Sequence, residues 1–293
     1  MCAYFEEIAV YLMAWNSQFN PNPFNHGGAM ALQLETKVSP KLRQAIALRE
    51  RYSIDFTGVW TDQAWLSPRP GIKIRELYQA DDGYRISMVR YAPGAKVPDH
   101  LHTADEHTYV LEGSLKDSAG EHYAGSYLLS PMGSRHRVWS DRGALVLVHR
   151  LGPIRFQGSW TPGLIAPPQF APPEGNGFSG NRPNLVIDTG AELGALGAAW
   201  EKLRPGIEIM SLFEGAPGNY KSALMRFRPG ASMPAHIHLG DEHGYILSGC
   251  QEDEFGSYET GGYVYNPSGT AHRVWSEEGC LALIHWRAPF RYL

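Results

Sequence analysis

The sequence predicts an all-β protein in which one antiparallel domain, a sandwich or a small barrel, is present twice in tandem. Three observations support this fold class. The pentapeptide HRVWS occurs at 136–140 and again at 272–276. Short apolar or alternating segments recur between turn signals every 8–12 residues, which is typical of antiparallel all-β domains. Ten of the 12 histidines pair between the two halves of the chain at one fixed spacing.

The two halves are related by an offset of 136 residues. This offset carries five residues of the first half onto the same residue type in the second: His100 onto His236, His102 onto His238, Glu106 onto Glu242, Gly113 onto Gly249 and His136 onto His272. Further upstream the offset is 135, as Trp65 and Trp200 show, because a Gly/Asp/Asn turn differs in length by one residue. A repeat this long is a duplicated domain and not a solenoid unit.

The domain order follows from where the repeat begins and ends. Residues 1–56 have no counterpart in the second half, and we predict a short extension with a helix that starts at Ser39. The first repeat occupies 57–156 and the second 185–293. Between them, 157–184 is dense in proline and glycine and is predicted to be a linker.

Alternation within the strands predicts the lining of each domain. In the segment YRISMVRYAPG, Val89 and Tyr91 share one face of a strand, and Met225 and Phe227 are their counterparts in the second half. We expect these four side chains to surround the centre of each domain.

Histidine and glutamate residues form the constellation that carries chemistry. His100 and His102 are at i and i+2, so on a strand their side chains leave the same face. Glu106 follows across a short polar turn, and His136 comes from a later hairpin after a Pro-x-Gly bend. The second half repeats the set as His236, His238, Glu242 and His272. Three neutral imidazoles and one carboxylate suit a divalent first-row metal with open coordination positions, so we predict one metal in each half.

The spacing of these residues resembles that of a known family. The patterns G-x5-H-x-H-x3-E-x6-G at 94–113 and G-x5-P-x-G-x2-H at 125–136 resemble the two cupin motifs, and 230–249 and 261–272 match them equally well. The phrases between the motifs are most similar to those of ChrR-type cupins, which occur in anti-sigma factors and in stand-alone enzymes. The resemblance implies a bicupin: two jelly-roll-like barrels, each with a metal on His, His, Glu and His.

Some residues near the motifs have other expected roles. The usual second motif ends in Asn, whereas Ser140 and Ser276 stand there, a departure that we expect to affect the turn and not the metal. His107 and His243 follow the glutamates directly and should face away from the metal, in a structural or interface role. For the pair at 149 and 285, near the ends of the last strands, a structural role and donation to the ligands stay open. Within HRVWS, we expect the arginine and the tryptophan, Trp139 in the first copy, to face outward.

Composition and charge limit the partners and the location. The net charge of −4 and the absence of a Lys/Arg run argue against nucleic acid and against an anionic membrane. No apolar stretch approaches the about 18 residues that span a bilayer. Cys2, Cys250 and Cys280 show no disulfide pattern, so we expect a cytoplasmic protein. We also expect a homodimer.

Three functions fit a bicupin with two metals. The first, which we favour, is a non-haem Fe(II) dioxygenase acting on a small organic substrate that chelates through oxygen, of the diketone or aromatic ketone type. The second is a non-redox decarboxylase or isomerase in which the metal is a Lewis acid. The third is a ChrR-like metal-binding sensor, although the extension holds only Cys2 and His26 and lacks the ligand spacing of a zinc domain. Mn, Zn, Ni, Co or Cu would fit the same ligands as Fe, and the sequence identifies no further catalytic residue.

Overall fold

The computed structural model of the protein describes residues 51–54, 65–156, 185–188, 200–215 and 220–293. All the regular secondary structure in these ranges is β-strand, which confirms the all-β prediction. The predicted extension lies outside the described residues except for 51–54, so its helix at Ser39 stays a prediction. No helix in the described part of the chain is long and apolar enough to cross a membrane.

The described residues of the two halves form matching series of strands. In the first half these are β1 (Tyr52–Ile54), β2 (Leu66–Arg69), β3 (Ile72–Gln79), β4 (Arg85–Tyr91), β5 (Lys96–His102), β6 (Glu106–Asp117), β7 (Gly120–Tyr123), β8 (Ser126–Ser130), β9 (Arg135–Trp139), β10 (Ala144–Arg150) and β11 (Ile154–Phe156). In the second half these are β12 (Leu185–Asp188), β13 (Glu201–Arg204), β14 (Ile207–Glu214), β15 (Lys221–Phe227), β16 (Ala231–His238), β17 (Glu242–Asp253), β18 (Gly256–Glu259), β19 (Tyr263–Asn266), β20 (Ala271–Ser276), β21 (Cys280–Trp286) and β22 (Phe290–Tyr292).

The strands form two antiparallel sheets of the same topology. In barrel 1 the strand order is β2-β3-β4-β10-β6-β9-β5-β11, and in barrel 2 it is β13-β14-β15-β21-β17-β20-β16-β22. The long strand of each barrel, β6 or β17, bends across two faces. Its first part pairs with β10 and β8, or β21 and β19, and its second part pairs with β7 and β9, or β18 and β20. Each sheet therefore curls into the predicted jelly-roll-like barrel.

The two barrels exchange one short strand. β1, which precedes barrel 1 in the chain and lies within the predicted extension, pairs with β19 of barrel 2. β12, at the start of the predicted second domain, pairs with β8 of barrel 1. At these two strands, hydrogen bonds therefore join segments that the repeat separates. The repeat identifies corresponding segments of sequence, but it does not say which sheet a segment joins.

The interior of each barrel is apolar. Val89 and Tyr91 lie in the buried cluster of barrel 1 together with Val138, and Met225 and Phe227 lie in that of barrel 2. These positions agree with the faces that strand alternation predicts. The candidate metal ligands lie on the same inner faces, as His136 and Val138 on β9 show.

A third buried cluster, which we call the inter-barrel core, joins side chains of both barrels. Its buried members are Trp65, Leu77, Tyr78, Tyr84, Ile86, Met88, Tyr109, Tyr127, Leu129, Leu145, Leu147, Met210, Leu212, Phe213, Tyr220, Leu224, Tyr245, Tyr263, Tyr265 and Leu283. β4 shows how one strand serves two cores, because Ile86 and Met88 belong to the inter-barrel core while Val89 and Tyr91 line barrel 1. The two barrels are consequently parts of one packed structure.

Candidate metal centres

Three histidines converge in barrel 1. His100 and His102 leave the same face of β5, and His136 on β9 is the direct antiparallel partner of His100. The register of β5 against β9 shifts between Val97 and His100, a bulge that sets the direction of the first histidine. All three side chains are buried, and one nitrogen from each lies within 4.8 Å of the others.

Hydrogen bonds on the far side of each ring fix which nitrogen faces the centre. The Nδ1 partners in barrel 1 are the Pro98 carbonyl for His100 at 2.8 Å, Ser134 Oγ for His102 at 3.0 Å and Asp117 Oδ2 for His136 at 3.4 Å. A carbonyl or a carboxylate can only accept, so Nδ1 of His100 and of His136 donates and Nε2 keeps its lone pair. Among the described residues, Nε2 of His102 and of His136 is buried without a hydrogen-bond partner. Buried nitrogen lone pairs with no donor are what a metal ion would satisfy.

Barrel 2 repeats this arrangement. One nitrogen from each of His236, His238 and His272 lies within 4.8 Å of the others. Their Nδ1 partners are the Pro234 carbonyl at 3.0 Å, Thr270 Oγ1 at 3.0 Å and Asp253 Oδ2 at 3.1 Å, in that order. Nε2 of His238 and of His272 is again buried without a hydrogen-bond partner within the described ranges.

One carboxylate stands beside each histidine triad. Glu106 Oε1 is 3.6 Å from His102 Nε2, and Glu242 Oε1 is 3.4 Å from His238 Nε2. Burial opposes ionisation of Glu106, but His102 and the nearby Arg150 outweigh it and lower the pKa of Glu106 to about 2. The pKa of Glu242 is lowered as well, so each carboxylate is charged at neutral pH. Each lies beside one histidine of its triad, but the atoms that lie within 4.8 Å of one another belong to the histidines alone, so the glutamate as fourth ligand stays a prediction.

The imidazoles of His100 and His236 are held in the neutral form that binds metal. Burial lowers the pKa of His100 to about 4, and burial also lowers the pKa of His236. Both rings are therefore neutral at pH 7. A neutral imidazole beside a charged carboxylate fits a divalent cation, so the residues present are suited to the metal that the sequence predicts.

The surroundings of the two glutamates differ. Glu242 accepts from Asn266 Nδ2 at 2.8 Å and from the indole nitrogen of Trp286 at 2.5 Å. The strand neighbours of Glu106 at the matching positions are Ser130 and Arg150. Barrel 1 thus has a hydroxyl and a cation where barrel 2 has an amide and an indole.

The remaining paired histidines lie away from the metal centres. His107 donates to or accepts from the Tyr127 hydroxyl at 2.5 Å, and His243 is similarly bonded to Tyr263 at 2.8 Å. His149 and His285, from different barrels, stack with ring centroids 3.4 Å apart. The structural role that the sequence left open for this last pair is the one the structure shows, because the two rings contact each other and not the candidate ligands.

Outward placement of Trp139 agrees with the strand alternation. His136 and Val138 are buried while Arg135 and Arg137 are exposed, and Trp139 is only half-buried. Its ring lies 5.7 Å from the guanidinium carbon of Arg137. The tryptophan therefore packs on the outer surface of the barrel beside an arginine.

Two functional residues were not predicted, namely Asp117 and Asp253, which orient the third histidine of each triad. Hydrogen bonds to His122 and His136 hold the pKa of Asp117 well below its usual range, although burial opposes this. The two aspartates correspond at the offset of 136, so the repeat contained a signal that could have drawn attention to them.

Comparison with known proteins identifies the family of the chain and supports its fold. The model of the ChrR Cupin-like domain matches residues 55–155 and 194–288. A Nostoc punctiforme protein described as a "putative dioxygenase" superposes with a TM-score of 0.60 at 18% identity, over 80% of this chain and 82% of that chain. A variant of Bacillus subtilis oxalate decarboxylase superposes with a TM-score of 0.51 at 17% identity, over 82% and 79%. A search of curated proteins returned no match.

At these identities the superpositions show the fold alone. The family model, in contrast, covers both repeats and includes all eight predicted ligand positions. The chain belongs to the ChrR cupin-like family and is a bicupin.

Proposed function

We propose that the protein is a metal-dependent enzyme, specifically a non-haem Fe(II) dioxygenase whose substrate is a small carbonyl compound that chelates through oxygen, of the diketone or aromatic ketone type. The observation that carries the proposal is the convergence of the three histidines, with Nδ1 engaged outward and Nε2 directed inward beside a charged glutamate. Four protein ligands leave two positions of an octahedral ion for other molecules, and Fe(II) in such a site supplies redox chemistry with O₂.

The residues of the chain would prepare the site for this chemistry. His100, His102, His136 and Glu106 would hold the ion, and Asp117 would keep Nδ1 of His136 protonated. Val89, Val110 and Val146 belong to the buried apolar interior of the same barrel and would exclude bulk water. Barrel 2 would hold its ion through His236, His238, His272 and Glu242.

The test combines metal analysis with oxygen uptake. Protein purified without oxygen is expected to contain iron, and a panel of 1,3-diketones and aryl ketones should include one compound that the protein consumes together with O₂. A protein stripped by chelator and reloaded with Zn(II) is the matched control and should take up no oxygen. Conversion of a substrate without O₂ would point to the non-redox decarboxylase or isomerase, and metal binding without any turnover would point to the sensor.

The partners in this proposal are a small organic substrate and a second copy of the chain in a homodimer. Nucleic acid and membranes are not expected to bind, and the cytoplasm stays the expected location. Sedimentation velocity measures the mass of the assembly directly and tests the homodimer.

A further inference from the structure

Arg51, which precedes barrel 1 in the chain, bonds to two residues of barrel 2 that are themselves bonded to candidate metal ligands. The strand that follows it, β1, pairs with β19. Arg51 Nε donates to Asn266 Oδ1 at 2.6 Å, and its Nη2 group forms an ion pair with Asp253. The guanidinium also lies over the ring of Phe255, 4.4 Å from its centroid.

The two residues that bond to Arg51, Asn266 and Asp253, are each bonded in turn to a candidate ligand. Because Asn266 Oδ1 accepts from Arg51, its amide nitrogen is turned toward Glu242 and donates to Oε1 at 2.8 Å. Because Asp253 is paired with Arg51, it stays charged and fixed where it accepts from His272 Nδ1 at 3.1 Å. One guanidinium therefore orients the supports of two of the four candidate ligands in barrel 2.

At the position that matches Arg51, the sequence of the segment joining barrel 1 has an asparagine in place of the arginine. The strand registers align Tyr52 with Leu185, so Asn184 takes the place of Arg51 in the sequence, and it lies outside the described residues. Ser130 stands where barrel 2 has Asn266. The aspartate that matches Asp253 is bonded to His122 Nε2 at 3.0 Å.

We propose that Arg51 is a positioning residue for barrel 2, and that barrel 2 consequently retains its metal more tightly than barrel 1. The segment before the first barrel thereby controls the metal of the second. Ligands that are held in place before binding lose less freedom when the ion enters, and residues behind a ligand commonly change metal affinity by about 10–100-fold.

A second consequence rests on the proposed function. Barrel 1, whose centre releases its metal more readily, would be the barrel that binds the substrate. At three positions on the inner faces of its strands, barrel 1 carries a polar side chain where barrel 2 carries a smaller or mainly apolar one. The matched pairs are Ser87 with Ala223, Thr108 with Gly244 and Arg150 with Trp286. A polar wall beside the metal suits a substrate that binds through oxygen.

The test uses proteins with one centre each. His136→Ala removes one ligand from barrel 1 and His272→Ala removes one from barrel 2, and the affinity of the tighter, intact centre for Co(II) is measured in each protein by competition with a coloured chelator. We expect tighter Co(II) binding in the His136→Ala protein. Adding Arg51→Gln should weaken that binding by about 10–100-fold and should change the His272→Ala protein by less than about twofold. Arg51→Lys keeps the positive charge but removes the planar guanidinium that contacts Asn266 and Asp253 together. It should give an intermediate loss of Co(II) affinity.

The matched control is Arg226→Gln. Arg226 is also half-buried in barrel 2, where it is paired with Glu208 at 2.8 Å and lies over the ring of Trp200 at 4.2 Å. Its removal should leave Co(II) affinity unchanged in both proteins. Equal affinities of the two centres, or an equal loss in both on Arg51→Gln, would overturn the inference.

The readout separates the inference from the proposed function. Metal affinity does not depend on turnover, so a chain without oxygenase activity would still show the difference between the centres. The substrate assignment is read from the Co(II) absorption bands on addition of a 1,3-diketone, which should shift only in the His272→Ala protein. A shift only in the His136→Ala protein would overturn that assignment. A lack of any shift in either protein would count against the diketone class, while the affinities would still decide the role of Arg51.

Discussion

A buried carboxylate behind the third histidine of each triad is the residue-level feature with the clearest chemical effect. Asp117 and Asp253 face Nδ1 of His136 and His272. A charged acceptor at Nδ1 makes Nε2 a stronger donor to a metal and also fixes the direction of the ring. The strength of each metal centre should therefore depend on these aspartates as well as on the ligands.

Asp117→Asn should weaken metal binding in barrel 1 by roughly tenfold or more, because the amide preserves the shape of the side chain but removes its charge. The measurement is Co(II) affinity in the His272→Ala protein, which has only this centre. Asp141→Asn is the control, since Asp141 is exposed and bonded to Lys116 at 2.7 Å. An unchanged affinity for Asp117→Asn would show that the charge of Asp117 does not act on the metal.

Trp139→Ala should destabilise the metal-free protein by only about 1–2 kcal/mol, well below the about 3–5 kcal/mol of a fully buried tryptophan. The side chain is half-buried, and its contact with Arg137 adds at most about 1 kcal/mol at an exposed site. Chemical denaturation measures this loss, and metal content should stay at the wild-type level. A loss of metal or of turnover without a loss of stability would mean that Trp139 contacts the site.

At this scale the sequence predicts side chains that share a strand but not those that meet across strands. His100 and His102 could be placed on one face because strand periodicity is local. Arg51 could not be predicted, because it reaches Asp253 across 202 positions of the chain and no pattern encodes that register. The two aspartates behind the ligands lie 19 positions before the histidines that they contact, and their correspondence at the offset of 136 was the signal that could have drawn attention to them.

The exchanged strands are the main feature at the level of elements. β1 and β12 are short, at three and four residues, and within the described ranges each pairs with one strand: β1, which precedes barrel 1, with β19 of barrel 2, and β12, which precedes the other strands of the second half, with β8 of barrel 1. Strand alternation and turn signals predicted the strands of the barrels well. The destination of a short edge strand depends on tertiary pairing, which the repeat cannot specify.

Replacing Val186 or Ile187 by proline should weaken the pairing of β12 with β8 of barrel 1. Both positions come well after the last strand of barrel 1 in the sequence. Consecutive N–H groups of a strand point to opposite sides, so one of the two prolines removes a hydrogen bond to β8 and the other does not. Amide hydrogen exchange should rise at 126–130 in that variant and stay unchanged in β19. Faster exchange in β19 with protected β8 would contradict the strand pairing.

The inter-barrel core makes the two barrels depend on each other. The ring of His107 in barrel 1 packs against two rings of barrel 2, with centroid distances of 4.8 Å to Phe213 and 5.0 Å to Tyr220. The ring of His243 in barrel 2 packs against Tyr78 of barrel 1 with a centroid distance of 4.6 Å. The sequence predicted a structural or interface role for this histidine pair. It could not specify the partners, because the packing of one repeat on the other is not a property of either repeat alone.

Acid should destabilise the whole molecule through this core. Burial lowers the pKa of His107 and of His243 to about 3, and it lowers the pKa of His149 and of His285 well below the usual value. An unfolded histidine binds a proton below about pH 6.5, whereas these folded histidines stay neutral until much lower pH. The free energy of unfolding should therefore fall as pH drops from about 6.5 toward 3, and each such histidine contributes up to about 1.4 kcal/mol per pH unit.

His107→Phe isolates one of these contributions. The phenyl ring can pack against Phe213 and Tyr220 but cannot bind a proton, so the slope of the free energy of unfolding against pH should decrease by about 1.4 kcal/mol per pH unit between pH 5.5 and 4. The measurement is urea denaturation of metal-free protein in chelator, so that loss of a bound ion does not contribute.

Tyr127→Phe is the control, because it removes the hydroxyl bonded to His107 but leaves the imidazole in place. This control should lower stability at every pH and keep the wild-type slope. If His107→Phe gives a curve parallel to the wild type, the histidine is already protonated in the folded core, and burial does not set its charge.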